Sequence, residues 1–104
     1  MSETTGGKKF DQGKAPIAQG CLAYFRKALE QVAQISAYGA KKYSVAYSEQ
    51  NWRSVDGASG RYLDALVRHV AAHAAGEVND PESGLPHLGH AAWNALAVLE
   101  LSQE

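Results

Sequence analysis

His87, His90 and Asn94 recur at i, i+3 and i+7, a spacing that stacks three polar side chains on one helix face near its start. Each brings a nitrogen or oxygen beside an alanine-rich stripe, which makes the face a candidate for binding. Taken singly, either histidine is better read as a cap or a solvent-facing residue. His69 and His73 stand at i, i+4, a spacing able to hold one metal. A helical zinc protease needs a Glu directly after the first His; Val70 is there instead, so that class is excluded and His73 reads as packed or surface. Glu77, Asp80 and Glu82 place three carboxylates within six residues. Oxygen-rich clusters of this kind suit Mg²⁺ or Mn²⁺, although an acidic turn in water is the plain alternative. Asp64 and Arg68, also i, i+4, read as a surface ion pair. Basic residues recur in the arm and loops, at Lys9, Lys14, Lys41, Lys42 and Arg53. Carboxylates for a cation and cations for an anion are the two halves of a metal–phosphate site. No Walker A loop or Gly-x-Gly-x-x-Gly is present, so any nucleotide is expected to be held by helices and side chains.

These residues need helices to position them. Residues 1–20 hold Gly6, Gly7, Gly13, Gly20 and Pro16 and show no apolar periodicity. They read as a flexible arm whose Lys9, Asp11 and Lys14 could close over a bound phosphate chain. From Leu22 to about Lys42, Leu22, Phe25, Leu29, Val32 and Ser36 recur at helical spacing with Ile35 beside them, and Glu30 lies at the stripe's edge. Residues 43–60 read as a loop with a short helical turn. Arg61–Ala75 forms the second expected helix, with Leu63, Leu66, Val67, Val70 and Ala74 on one face, Ser59 as N-cap and Gly76 as the stop. Residues 76–86 form a second ordered loop, with Pro86 in the first turn of the next helix. The third helix, His87–Leu101, carries an apolar stripe of Leu88, Ala92, Ala95 and Leu99. Nothing alternates with period two, so no strand is expected.

At 104 residues one domain is expected, the helical unit 21–104 behind the arm. Ten basic against eleven acidic residues give a net charge of −1, which argues against a nucleic-acid binder. The lone Cys21 excludes a disulfide framework and a multi-cysteine zinc site, and fits a reducing, cytoplasmic compartment. No apolar run approaches the roughly 20 residues that span a bilayer, so no membrane partner is expected. Three alanine-rich helices bury little by themselves, which points to a homodimer or homotetramer.

Seven short segments follow one another in an order that resembles a known family: Lys9-Phe10-Asp11-Gln12-Gly13-Lys14, Tyr38-Gly39-Ala40-Lys41-Lys42-Tyr43, Asn51-Trp52, Arg68-His69, Gly76-Glu77, Asp80-Pro81-Glu82-Ser83-Gly84-Leu85, and His87-Leu88-Gly89-His90-Ala91-Ala92-Trp93-Asn94. The series resembles the phage-encoded dATP/dGTP diphosphohydrolase N-terminal domain family, related in chemistry to the all-α MazG-like nucleotide pyrophosphohydrolases. The resemblance implies a MazG-like helical bundle of three main helices completed by self-association. It also implies an enzyme that hydrolyses a purine deoxynucleoside triphosphate to the monophosphate and pyrophosphate with Mg²⁺ or Mn²⁺, in a bacterial host's cytoplasm. It assigns catalysis and metal binding to Glu30, Glu77 and Asp80, with His69, His87 and Glu82 as lesser metal candidates. Substrate binding falls to Lys9, Lys14, Lys42, Asn51, Trp52, Arg68, His90 and Asn94. MazG-like enzymes hold metal with two helical acid pairs, but Lys27 and Ala33 flank Glu30 at three residues on either side. Two alternatives therefore stand beside this one: a small histidine/aspartate-type phosphohydrolase using His69, His87, His90 and Asp80, and a catalytically inactive helical module that binds a nucleotide or a protein.

Overall fold

A computed structural model describes residues 13–104. The expected interplay of Lys9 and Asp11 with a ligand lies outside the described residues. The chain is all-α, with three main helices: α1 (Arg26–Tyr43), α2 (Ala58–Ala74) and α3 (His87–Ser102). A single π-helical turn, Ala18–Leu22, precedes α1, so part of the expected arm and the expected first turn at Leu22 form a separate turn. Two 3₁₀ turns, Tyr47–Glu49 and Asn51–Ser54, occupy the first long connection. The only pairing of β type among the described residues is the isolated antiparallel bridge Asn79–Pro86.

The helix ends follow from local chemistry. α1 stops at Ser44, which turns left-handed at φ 54° while Lys41 and Lys42 sit in the last turn, where the dipole favours cations. α2 starts from Gly57 at φ 66°, a conformation that glycine adopts without strain. Ser59 is therefore inside the first turn, not at the N-cap; the backbone reversal at glycine sets the boundary, and no side chain caps it. At the other end Gly76 has φ 101°, its N–H donates to the His73 carbonyl, and the Glu77 N–H donates to the Ala72 carbonyl. This paired closure of the last turn pins the backbone of Glu77. Pro86, with φ −57° and ψ 136°, sits one residue before α3 as its N-cap rather than in its first turn.

The buried face of α3 is the polar one. His87, His90, Ala91, Asn94 and Ala97 are buried, whereas Leu88 and Leu99 of the expected core stripe are 48% and 58% exposed. α2 repeats the pattern, with Leu63, Val67 and Val70 all exposed. Apolar burial among the described residues comes down to Ile35, Ala91 and Ala97. Ile35 packs against α3 at Gly89, where a Cβ would lie 3.6 Å from Ile35 Cγ1, an ordinary packing distance. A second tie joins α1 to α3, where Trp93 Nε1–H donates to Ser36 Oγ at 2.9 Å. The helices thus turn their polar and small residues toward one another and leave much of their aliphatic surface uncovered.

Candidate functional site

The loop between α2 and α3 organises the site. Asp80 is its hub. Its backbone N–H donates to Leu85 and its carbonyl accepts from Gly84. Its carboxylate accepts from the Glu82 N–H at 3.2 Å and the Ser83 hydroxyl at 3.3 Å. Ser83 Oγ in turn accepts from the Leu85 N–H and lies 2.7 Å from His90 Nε2. Asp80 is thus largely enclosed, with its side chain 17% exposed, and it differs from the solvated acid that an acidic turn suggests.

Three histidines converge behind this loop. His69 and His90 stack with ring centroids 4.5 Å apart and planes 9° from parallel. His69 Nδ1 lies 2.8 Å from His87 Nδ1. His87 Nε2 lies 2.7 Å from Glu77 Oε1, and His90 Nε2 lies 3.5 Å from Asp80 Oδ2. His87 and His90 are buried and neither caps α3 nor meets solvent, because the returning loop folds over both. His73, one turn beyond His69, is exposed and takes no part.

Burial is the main reason that His69 and His90 hold a proton less readily than free imidazole; the neighbouring histidines lower both further, and Asp80 opposes the effect. The fold therefore favours their neutral forms, while the unfolded chain gains protons below the ordinary value of 6.5. Stability from this source is fully present above about pH 6.5 and is lost as pH falls through the lowered values of the folded state. Thermal melts should show a fall in Tm on acidification below pH 6.5, and a His69→Gln/His90→Gln double variant should show a smaller one. An identical acid slope in that variant would place the effect elsewhere.

On the α1 side, Glu82 receives the Tyr38 hydroxyl at 2.5 Å and Lys42 Nζ at 2.9 Å. These two donors hold the Glu82 carboxyl below its usual range. The same contact raises both Tyr38 and Lys42. Beside this clasp opens a cleft of about 810 Å³, whose lining includes Lys42, Arg68, His69, Asp80, Glu82 and His90. Asn51, Trp52 and Asn94 also line it, with Tyr62 and Trp93. The aromatic rings form one packed group: Trp93 meets Trp52 edge-on at 5.8 Å and Tyr62 at 5.4 Å, and Tyr62 donates its hydroxyl to the Trp52 carbonyl.

The structure brings together most of the residues that the sequence singles out, but not all. Glu30 is exposed, pairs with Arg26 at 3.6 Å and is absent from the cleft lining. Lys14 is exposed and also absent from that lining. Arg53 is drawn to the end of α3, where it pairs with Glu100 and Glu104. Asp64 and Arg68 form no ion pair, and Arg68 lines the cleft instead. Tyr38, Tyr62, Ser83 and Trp93 are additions. Two of them had a local signal: Tyr38 lies one turn before Lys42, and Ser83 stands three residues after Asp80, as in a side-chain-closed turn.

No three His, Cys, Asp or Glu side chains among the described residues are arranged as a metal-ligand group. Glu77, Asp80 and Glu82 each have a protein partner instead. Asp80 and Glu82 are the carboxylates that line the cleft, and two carboxylates suit Mg²⁺ when phosphate oxygens and water supply the remaining positions. The donor set thus fits a cation carried by a polyphosphate rather than a closed protein cage.

The chain is thus all-α, with a histidine–carboxylate cluster beside an aromatic, cation-lined cleft. Residues 4–104 match the model of the dATP/dGTP diphosphohydrolase N-terminal family, and the chain belongs to that family. A protein of Salmonella phage PMBT28 named dATP/dGTP diphosphohydrolase is 40% identical over 95 residues, which covers 91% of this chain and 29% of the phage protein. The chain therefore spans less than a third of that relative's length. No solved structure matches it. No helix among the described residues is long and apolar enough to cross a membrane.

Proposed function

We propose that the chain binds a purine deoxynucleoside triphosphate and hydrolyses it between the α- and β-phosphates, releasing the monophosphate and pyrophosphate. The observation that carries this reading is the single cleft that joins an aromatic wall to a cation- and imidazole-bearing flank. Its size falls within the range of small-ligand sites. Trp52, Tyr62 and Trp93 offer ring surfaces for a base. Arg68 and Lys42 offer positive charge to a phosphate chain, as a planar guanidinium and a flexible ammonium do. Membership of a family named for dATP/dGTP diphosphohydrolases, and the phage relative's name, support the purine deoxynucleotide. Asp80 and Glu82 would hold the Mg²⁺ or Mn²⁺ of the nucleotide complex, which supplies charge neutralisation on the phosphates. His69 and His90 present nitrogen atoms beside that flank, and the loop anchored by Asp80 keeps both in register.

Incubation with each triphosphate and Mn²⁺, with products identified by mass, tests the reading. Deoxynucleoside monophosphate plus pyrophosphate supports it, and orthophosphate release contradicts it. A second reading has its own observation. Glu30 stands apart from the cleft acids, so the helical acid pair of MazG-like enzymes has no counterpart, and a binding module without turnover is the alternative. Saturable triphosphate binding without product would decide for it. The convergence of His69, His87, His90 and Asp80 gives the histidine/aspartate-type phosphohydrolase its support, and orthophosphate release would favour that class.

Self-association belongs to the same proposal. Leu63, Val67 and Val70 lie on one face of α2 and are 49%, 61% and 45% exposed. Apolar faces of this kind are normally covered, and a second copy would complete a MazG-like bundle. Light scattering should give a multiple of the 11.1 kDa chain mass, and Leu63→Glu/Val67→Glu should return it to that mass. A monomeric wild-type chain at micromolar concentration contradicts the proposal.

A further inference from the structure

Resting on the hydrolytic reading above, we infer that Glu77, His87 and His69 form a tautomer-setting relay that presents the bare Nε2 of His69 to the cleft as acceptor for the attacking water's proton.

The chain of contacts is continuous. Glu77 Oε1 lies 2.7 Å from His87 Nε2, and His87 Nδ1 lies 2.8 Å from His69 Nδ1. A carboxylate only accepts hydrogen bonds, so His87 must donate through Nε2. A neutral imidazole carries one proton, and with Nε2 donating, Nδ1 of His87 is an acceptor. His69 must then donate through Nδ1, which leaves its Nε2 without a proton. No side-chain nitrogen or oxygen among the described residues is both buried and unpartnered. His69 lines the cleft, and its Nε2, without a partner among the described residues, is therefore not fully buried. The parallel stack on His90 holds the ring plane. The paired closure of α2 at Ala72 and His73 fixes the backbone from which Glu77 reaches His87.

Exposed imidazoles have no such constraint. Here one half-exposed carboxylate, two residues removed from the cleft, decides which nitrogen of His69 faces the substrate. In the reaction, water oxygen forms a bond to the α-phosphorus as the bond to the bridging oxygen breaks. The electron pair leaves with pyrophosphate, and the water's proton passes to His69 Nε2. Positive charge on His69 is then answered through Nδ1–H, His87 and the Glu77 carboxylate, the orienting logic of a base held by a third group. Glu77 and His87 are positioning residues in this scheme; His69 is the catalytic one.

Long-range ¹H–¹⁵N correlation spectra of the ¹⁵N-labelled full chain at pH 8 read the tautomers directly, above the range in which imidazoles ordinarily bind a second proton. His69 is expected with its proton on Nδ1. In Glu77→Gln the amide can donate as well as accept, so the constraint is lifted and His69 should shift toward Nε2–H. Turnover of the same variant should fall by about 100-fold in kcat with little change in KM. A wild-type His69 protonated on Nε2 overturns the relay, even if the variant does not fold. An unchanged tautomer in Glu77→Gln, or a switched tautomer with unchanged kcat, overturns it too. A wild-type chain that hydrolyses no triphosphate sinks the hydrolytic reading instead, and the spectra still decide the wiring.

Discussion

Asp80→Asn should lose at least about 100-fold in triphosphate turnover while keeping a near wild-type Tm, whereas Asp80→Ala should lose both. The asymmetry follows from the two jobs of one side chain. Asp80 Oδ1 accepts the Glu82 N–H, which closes the turn, and an asparagine oxygen can do the same. The negative charge beside His90, and toward any phosphate-borne cation, is lost in either variant, and even groups that only support a metal ligand cost about 10–100-fold in affinity or activity when removed. Asparagine gives up only the Ser83 contact at Oδ2, whereas alanine leaves both the Glu82 N–H and the Ser83 hydroxyl without their acceptor. Those losses amount to about 1–3 kcal/mol, and the loop that covers His87 and His90 loosens with them. Wild-type turnover in Asp80→Asn would show that the charge is a bystander. An unchanged Tm in Asp80→Ala would show that the loop does not depend on its hub.

Trp93→Ala should be the most destabilising single change on α3, by about 3 kcal/mol, near the low end for large aromatic truncations because the residue is only half-buried. In a domain of this size that corresponds to a Tm lower by roughly 12–24 °C. Trp93 joins three parts of the fold: Ser36 on α1 through Nε1, the 3₁₀ turn at Trp52 through an edge-on contact, and α2 through Tyr62. With so few aliphatic side chains buried, this aromatic group substitutes for a conventional core. Trp93→Phe keeps the ring contacts and loses the hydrogen bond, so it should cost about 1 kcal/mol. A Trp93→Ala protein that melts within a few degrees of wild type would show that the aromatic group is a surface feature and that stability comes from elsewhere, for example a second chain.

The two variants probe different layers of one arrangement. Asp80 holds the histidine loop, and Trp93 holds the helices on which that loop closes. Both act on the same cleft, so Trp93→Ala should also weaken nucleotide binding where Asp80→Asn weakens turnover.

Helix existence and type were legible in the chain. Apolar and alanine-rich periodicity with no period-two segment is enough for three helices, and Gly76 announced the end of α2. The clustering of carboxylates between α2 and α3, and the polar face at His87, His90 and Asn94, were visible as well, because a helix places i, i+3 and i+7 on one side whatever surrounds it. Which side faces inward was not legible. Periodicity reports that Leu88, Ala92, Ala95 and Leu99 share a face, and the usual inference turns that face to the core. Tertiary packing turned the histidine face inward instead, since the 77–86 loop supplies partners to every buried imidazole. Arg53 illustrates the same limit, as it found opposite charges at the end of α3 that no local pattern identifies, whereas the Arg26–Glu30 pair at i, i+4 follows the local helix spacing. Sequence by itself determined the elements, their order and the residue types available for chemistry, because these depend on local geometry. Only the tertiary structure decided that His69 meets His87 across 18 residues and that Glu82 meets Tyr38 across 44, because contacts between distant segments depend on how whole helices pack.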